Sequence, residues 1–313
     1  MKNKKIIKGI FLLIILVSIF LVSCTAETSK PVLGGNINAD KGTASSNEKS
    51  SGTLQVHYID VGQADSILIL QGTHAMLIDA GNNDDYELVY KYLNKQGIKN
   101  LEYIVGTHPH EDHIGGLDYI IDNFNIGKVI LPKNAKSNTK TYTDVLKAVS
   151  NKGLKAINPL PGTSFNLGEA VCSILAPNSG SYEDFNNYSV VIKVKFGDNS
   201  FLFEGDAEAL SEMEMVKKGY NLKADVIKVG HHGSSSSTCA KFLAKVQPKY
   251  AVISVGKDNS YGHPQKGTMD RLKNGKIEVY RTDECGTIVA LSDGKNITFN
   301  VKPGDYKYGS AAN

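Results

Sequence analysis

Thr107-His108-Pro109-His110-Glu111-Asp112-His113-Ile114-Gly115-Gly116 follows directly on the apolar run Leu101 to Val105. Three imidazoles and a carboxylate within positions 108–113 crowd a single ion. Two metals about 3.5 to 4 Å apart can divide them, His108 and His110 to one, Asp112 and His113 to the other. In an extended loop alternate positions point the same way, so the His-x-His pair can converge. Neutral imidazole and carboxylate suit zinc, with manganese or iron as alternatives. Gly115 and Gly116 let backbone approach closely beside such a site.

Two later segments also end strand-like runs on metal-binding residue types. Phe201-Leu202-Phe203-Glu204-Gly205-Asp206 closes on a carboxylate, and Ala224 to Val229 leads into Gly230-His231-His232-Gly233-Ser234. With these motifs the chain resembles the metallo-β-lactamase superfamily of binuclear metallohydrolases. Tyr58-Ile59-Asp60-Val61-Gly62-Gln63-Ala64-Asp65-Ser66, the His-His-Gly-Ser segment, Asn259-Ser260-Tyr261-Gly262-His263-Pro264 and Arg281-Thr282-Asp283 narrow the likeness. They are similar to the hydrolase domain of ComEC-type competence proteins, over about Leu54 to Val301. The resemblance implies an α/β (α+β) fold, a four-layer αββα sandwich with metals at one edge. It also implies two divalent ions bridged by Asp206, able to hold a shared water as hydroxide for hydrolysis. Asp112 would then bind one ion and orient that water.

His231 and His232 are adjacent, so their side chains diverge unless the loop bends sharply. One is expected to be a ligand and the other a substrate or supporting group, with His231 favoured because it lies closer to the strand end. Many members of the superfamily place a third histidine on the first metal near Asn186-Asn187-Tyr188-Ser189, and none is present. Asn187 is the candidate there, as a weak oxygen donor or a substrate contact. Ser234 to Ser237 are expected to cap a helix running toward Lys245, whose amino end can also hold phosphate. His263 can donate a proton to a leaving oxygen, the other reading being a structural turn histidine. Asp60, Gln63 and Asp65, ahead of the second strand, can reach the metal edge, although Asp and Gly at such positions commonly make turns; Asp79 reads as a brace for the metal loop, not a ligand.

At the start, Lys2, Lys4, Lys5 and Lys8 precede the apolar run Ile10 to Val22, too short for a comfortable membrane span. Leu21-Val22-Ser23-Cys24 resembles a bacterial lipobox, so residues 1–23 are expected to be a lipoprotein signal peptide and Cys24 the lipidated residue. Residues 24–53 are rich in Thr, Ser, Gly, Asn and Lys and read as a flexible tether. The hydrolase domain would sit lipid-anchored on the extracytoplasmic face of the cell membrane, ending in a tail over 302–313. Cys172, Cys239 and Cys285 show no CxxC spacing; Cys172 reads as core and the others as bystanders.

From Leu54 the pattern predicts strands at Leu54 to Asp60, Ser66 to Leu70 and Ala75 to Asp79, a meander at a sheet edge. A helix over Asp84 to Gln96 follows, with Leu88, Tyr92 and Leu93 on one face. Helices at Tyr142 to Asn151 and Leu210 to Lys218 then alternate with strands at Val190 to Phe196, Phe201 to Glu204, Ala224 to Val229 and Tyr250 to Val255.

The leading function is a membrane-tethered phosphodiesterase or nuclease acting on a phosphoester, DNA being the polymer the resemblance implies. The formal charge is only +3, and no stacking array of aromatics is evident, so the electrostatic footprint for nucleic acid is weak. Hydrolysis of a phosphorylcholine or teichoic-acid linkage is the alternative. A surface binding lipoprotein with a degenerate metal site is the third reading. No protein partner is expected.

Overall fold

Side-chain alternation sorts each strand between two cores in the computed structural model, which describes residues 52–309. The segments expected to be a signal peptide (1–23) and a tether, with Cys24, lie outside the described residues up to residue 51. In β1 (Leu54–Tyr58), Leu54, Val56 and Tyr58 join an inner core. β2 (Ile67–Gln71) and β3 (His74–Ile78) send Ile67, Ile69, Met76 and Ile78 the same way, and Leu68, Ala75 and Leu77 to the opposite face. β4 (Asn100–Val105), β5 (Asn125–Ile130) and β6 (Ala156–Ile157) extend this sheet.

The second sheet contains β7 (Ser164–Leu167), β8 (Ala170–Ala176), β9 (Val191–Phe196), β10 (Asn199–Phe203), β11 (Val226–Lys228), β12 (Tyr250–Ile253) and β13 (Glu278–Arg281). The chain then returns to the first sheet with β14 (Ile288–Ser292) and β15 (Ile297–Phe299). The strand order is 15-14-1-2-3-4-5-6 in one sheet and 13-12-11-10-9-8-7 in the other. The predicted meander is therefore interior: β14 pairs antiparallel along all of β1, and β15 forms the edge. That strand pair, more than 200 residues downstream, left no local mark in the Leu54 region.

The inner core brings residues of both sheets together, including Tyr58, Met76, Ile192, Phe201, Phe203 and Val252. The helices are α1 (Tyr86–Lys95), α2 (Glu111–Ile114), α3 (Leu117–Asn123), α4 (Lys140–Asn151), α5 (Ala209–Lys218), α6 (Ala240–Val246), α7 (Lys266–Asn274) and α8 (Thr282–Cys285). Apolar residues of α1, α3 and α4 cover the outer face of the first sheet, and those of α5, α6 and α7 cover the second. This is the expected αββα sandwich, in which each sheet buries both faces. At about 1.5–3 kcal/mol per fully buried large apolar side chain, these three cores dominate folding. On α1 the buried residues are Val89 and Leu93, whereas Leu88 is exposed, because the helix turns one position away from the predicted face.

The domain runs past the expected boundary at Val301. Gly304 N–H donates to Val279 O at 2.8 Å and Gly309 N–H to Pro264 O at 2.8 Å. Arg281 Nη1 donates to Lys307 O at 2.6 Å. Cys172 is buried in the inner core, as expected.

Candidate metal centre

Parallel strands deliver the key residues. β3, β4 and β5 run parallel in one sheet, and β10, β11, β12 and β13 in the other. The 107–116 loop leaves β4, Asp206 follows β10, and His231 and His232 follow β11, all at the carboxyl ends of strands, where ligands gather in open sheets. Gly115 and Gly116 let the loop close against its neighbour: a Cβ at Gly115 would lie 2.2 Å from the Asn82 carbonyl carbon, and one at Gly116 2.5 Å from Ala80 O. Gly115 N–H also donates to Gly81 O at 2.9 Å.

Donor atoms of Asp112, His113, Asp206 and His232 all lie within 4.8 Å of one another. His113 Nε2 is 3.2 Å from Asp206 Oδ1 and 3.7 Å from Asp112 Oδ2. His232 Nε2 is 3.2 Å from Asp112 Oδ2 and 3.7 Å from Asp206 Oδ2. On the other side, His108 Nε2 lies 4.0 Å from Asp206 Oδ2 and 2.9 Å from His110 Nδ1. Two imidazole nitrogens this close are stabilised only by a shared proton or a shared cation.

Supporting groups decide which nitrogen each ring offers. His113 Nδ1 donates to Asp79 Oδ2 at 2.8 Å, and His232 Nδ1 donates to Ser254 O at 3.0 Å. Thr107 Oγ1 gives its proton to Asp79 Oδ2, so it accepts from His108 Nδ1 at 3.1 Å. Each ring is left with an Nε2 lone pair facing the carboxylates, the arrangement a metal ligand needs. Asp79 thus braces the loop as expected, also accepting the Thr107 N–H at 2.8 Å.

His113 Nε2 and Asp206 Oδ1 are buried 3.2 Å apart and meet no other hydrogen-bond partner. Together with Asp112 and His232 they form a four-residue donor cluster that fits a divalent cation; burial of unpaired groups otherwise carries a cost of about 1–3 kcal/mol each. Electrostatics agree. Burial opposes charge on His113, but Asp206, Asp112 and Asp79 outweigh it and raise its pKa well above the usual histidine range. Burial would raise the Asp206 carboxyl, yet His113 and His232 hold it well below the ordinary carboxylate range. His232 is raised, burial being overcome by Asp206 and Asp112, and His108 is driven well down by burial and by His113.

The adjacent histidines do converge, because the loop bends sharply. His231 and His232 both adopt left-handed backbone, with φ of 49° and 51°, rare for residues with a side chain. His232 is the buried member of the donor cluster. His231 stands one step out, partly exposed, with Nε2 3.6 Å from Asp206 Oδ2 and Nδ1 3.3 Å from Ser236 Oγ. The sequence preference for His231 rested on distance from the strand end; the reversal of the chain brings both rings to Asp206, His231 Nε2 at 3.6 Å and His232 Nε2 at 3.7 Å from its Oδ2.

Asn187 is turned away from the site. Its Nδ2 donates to Glu208 Oε2 at 3.1 Å and its Oδ1 accepts the Ser211 N–H at 3.2 Å, so both ends of the amide are used within the fold. Asn186 lines the cavity instead, and its Oδ1 is buried without a partner. Ser234 also serves the loop: its hydroxyl bonds to Ser236 Oγ at 2.9 Å. The serines do not cap α6, which starts after Cys239; Glu212 accepts the Thr238 and Cys239 N–H groups at that end.

The site opens on a cavity of ≈ 360 Å³ lined by Gln63, His110, Glu111, Asp112, Asn186, Asp206, His231, His232, Tyr261 and His263. His263 is in place, its ring 5.7 Å from that of His231 and 6.4 Å from that of His232. Burial, reinforced by His232 and His231, pulls its pKa down to about 4. At neutral pH the ring is uncharged, with one nitrogen able to donate a hydrogen bond and the other to accept one. Sequence reasoning passed over Glu111, Asn186 and Tyr261 and left Gln63 between the metal edge and a turn; it lines the cavity. It also missed Lys228, fully buried, whose Nζ is 2.9 Å from Asp65 Oδ2. A lysine inside the apolar run Val226 to Val229 was the available signal.

The sequence profile of the metallo-beta-lactamase superfamily matches residues 59–257, and the chain belongs to that superfamily of metal-dependent hydrolases. Within it, ComE operon protein 3 of Bacillus subtilis is 32% identical over 268 residues, covering 80% of this chain and 34% of that protein. Recombination protein 2 of Haemophilus influenzae is 32% identical over 246 residues, covering 76% of this chain and 29% of that protein. These homologues are ComEC-type competence proteins, and the chain spans about a third of their length. Among solved structures, the metallo-beta-lactamase fold protein YhfI of Bacillus subtilis matches with a TM-score of 0.52 at 13% identity, over 77% of this chain and 100% of YhfI, a likeness of fold alone. Among the described residues, no helix is long and apolar enough to cross a membrane.

Proposed function

We propose that this hydrolase is a phosphodiesterase that cleaves nucleic acid strands, held at the extracytoplasmic face of the membrane through a lipid on Cys24. The observation that carries the chemistry is the buried convergence of Asp112, His113, Asp206 and His232 donor atoms beside an open cavity that Asp112, Asp206 and His232 line. His108, His110 and Asp206 would hold one divalent ion, and Asp112, His113, His232 and Asp206 the other, with zinc suited to this imidazole-rich set. When bound, the two ions supply activation of water and neutralisation of an anionic phosphoryl group. Asp112, half-buried at the cavity wall, would bind one ion and orient an incoming water. His263 would donate a hydrogen bond to a substrate oxygen. The competence relatives support nucleic acid as substrate, and the lipobox-like Leu21 to Cys24 supports the anchor.

The test is turnover by the zinc-loaded and manganese-loaded protein on bis-p-nitrophenyl phosphate, single-stranded DNA and phosphorylcholine esters, beside Asp206→Ala. DNA cleavage that Asp206→Ala abolishes is the expected result. Cleavage of small esters alone replaces nucleic acid by an envelope phosphoester, and metal binding without turnover on any substrate leaves a binding protein. Membrane fractionation of Cys24→Ala checks the anchor: unchanged acylated protein in the membrane refutes it.

A further inference from the structure

Gln63 stands beside the donor cluster, and both ends of its side chain are committed. Its Oε1 accepts the Gly256 N–H at 3.0 Å. That contact cannot relax easily, because the two backbones are close: a Cβ on Gly256 would lie 2.7 Å from Gln63 N. With the carbonyl oxygen fixed on Gly256, the end that meets His263 Nδ1 at 3.3 Å is Nε2. An amide NH₂ only donates, so His263 Nδ1 must accept, and the ring hydrogen is on Nε2.

The rest of the turn holds the histidine still. Asn259 Oδ1 accepts the His263 N–H at 3.0 Å, and Asn259 Nδ2 donates to His263 O at 2.7 Å. The ring stacks on Tyr261 at 5.6 Å between centroids and 21° between planes. With Nδ1 engaged by Gln63, Nε2 is the ring nitrogen left for a ligand in the cavity that both residues line.

We propose that Gln63 is a positioning residue that locks His263 in the Nε2–H tautomer, so that the ring presents a hydrogen-bond donor to an anionic or leaving oxygen of the substrate. The proposal rests on the reading that His263 touches substrate. No covalent step belongs to Gln63; it acts through the histidine.

The decisive variant is Gln63→Glu, of nearly the same shape, whose carboxylate can accept from both Gly256 N–H and a hydrogen on Nδ1. ¹⁵N NMR of the His263 ring in the zinc-loaded full chain reads the tautomer directly. The expected parent spectrum has hydrogen on Nε2 and none on Nδ1, and Gln63→Glu places hydrogen on Nδ1. Turnover of bis-p-nitrophenyl phosphate should fall in kcat by on the order of tenfold or more, with KM changing far less. In a His263→Ala background the same substitution should add under about twofold. A parent ring with hydrogen on Nδ1 overturns the proposal without any variant, as does a tautomer that Gln63→Glu leaves unaltered. Losses that multiply in the double variant overturn it while sparing the role of His263. Parental turnover in His263→Ala overturns the underlying reading, and the proposal with it.

Discussion

Asp79→Asn separates bracing from ligation. Asp79 binds no cavity atom, yet its carboxylate accepts from Thr107 N at 2.8 Å, Thr107 Oγ1 at 2.7 Å and His113 Nδ1 at 2.8 Å. Asparagine keeps the shape and one acceptor oxygen. If that oxygen stays on Thr107 N–H, the new NH₂ faces His113 Nδ1–H, donor against donor. The ring then has to exchange its hydrogen to Nε2, which covers the lone pair aimed at Asp206. Replacing such a supporting partner costs about 10- to 100-fold in metal affinity, or about 1.4–2.7 kcal/mol. Zinc titration against a chromophoric chelator measures this, and thermal melts in chelator supply the folding control. A parental zinc affinity in folded Asp79→Asn would refute the argument that this carboxylate sets the His113 tautomer.

Three further outcomes follow from the buried charges. Zinc binding should release protons near neutral pH, since the raised pKa values of His113 and His232 make protons compete with metal; affinity should weaken as pH falls, and calorimetry independent of buffer ionisation would contradict this. Lys228→Met removes the buried ammonium paired with Asp65, leaving that carboxylate with His232 Nδ1 at 3.5 Å, and should cost about 3–5 kcal/mol, read from denaturant unfolding of the metal-free protein; a loss under about 1 kcal/mol would show the pair to be dispensable. Burial and Glu212 raise the Glu204 carboxyl well above its ordinary 4.5, so its contribution to stability is full below that value and is lost as pH rises through the folded pKa. Glu204→Gln should remove that loss and flatten the pH–stability curve, by about 1.4 kcal/mol for each tenfold difference in proton affinity between the folded and unfolded chain; parallel curves would refute it.

The sequence made the metal loop legible because a His-x-His-x-Asp-His cluster after an apolar strand has a strong local signal. Asp206 needed the family resemblance, and the choice between His231 and His232 needed backbone angles that composition does not encode. Asn187 was the natural candidate for the missing histidine, but a one-residue difference within the short helical turn Phe185–Tyr188 gave the cavity wall to Asn186. Gln63 and Lys228 act through residues far away in sequence, Gly256, His263 and Asp65, and only the assembled sheets bring these together. The same holds for β14 and β15: pairing across the length of the domain moved the Leu54 meander from edge to interior.

Charge balance argues for two ions over one. The carboxylates within 4.0 Å of His113 or His232 are Asp65, Asp79, Asp112 and Asp206, and the one buried ammonium among them is Lys228. With neutral rings, the formal charge of these groups is therefore minus three. One divalent ion leaves it negative, and a phosphodiester approaching through the cavity would meet net repulsion in a low-dielectric setting, where Coulomb interactions are several-fold stronger than in water. Two divalent ions reverse the sign, drawing an anionic ester toward the floor between Asp112 and Asp206. Binding of the second ion is thus the step that should convert the site from anion-excluding to anion-attracting. Inhibition by inorganic phosphate should appear only past one equivalent of zinc; equal phosphate affinity at one and two equivalents would show that the carboxylates do not set the sign of the site.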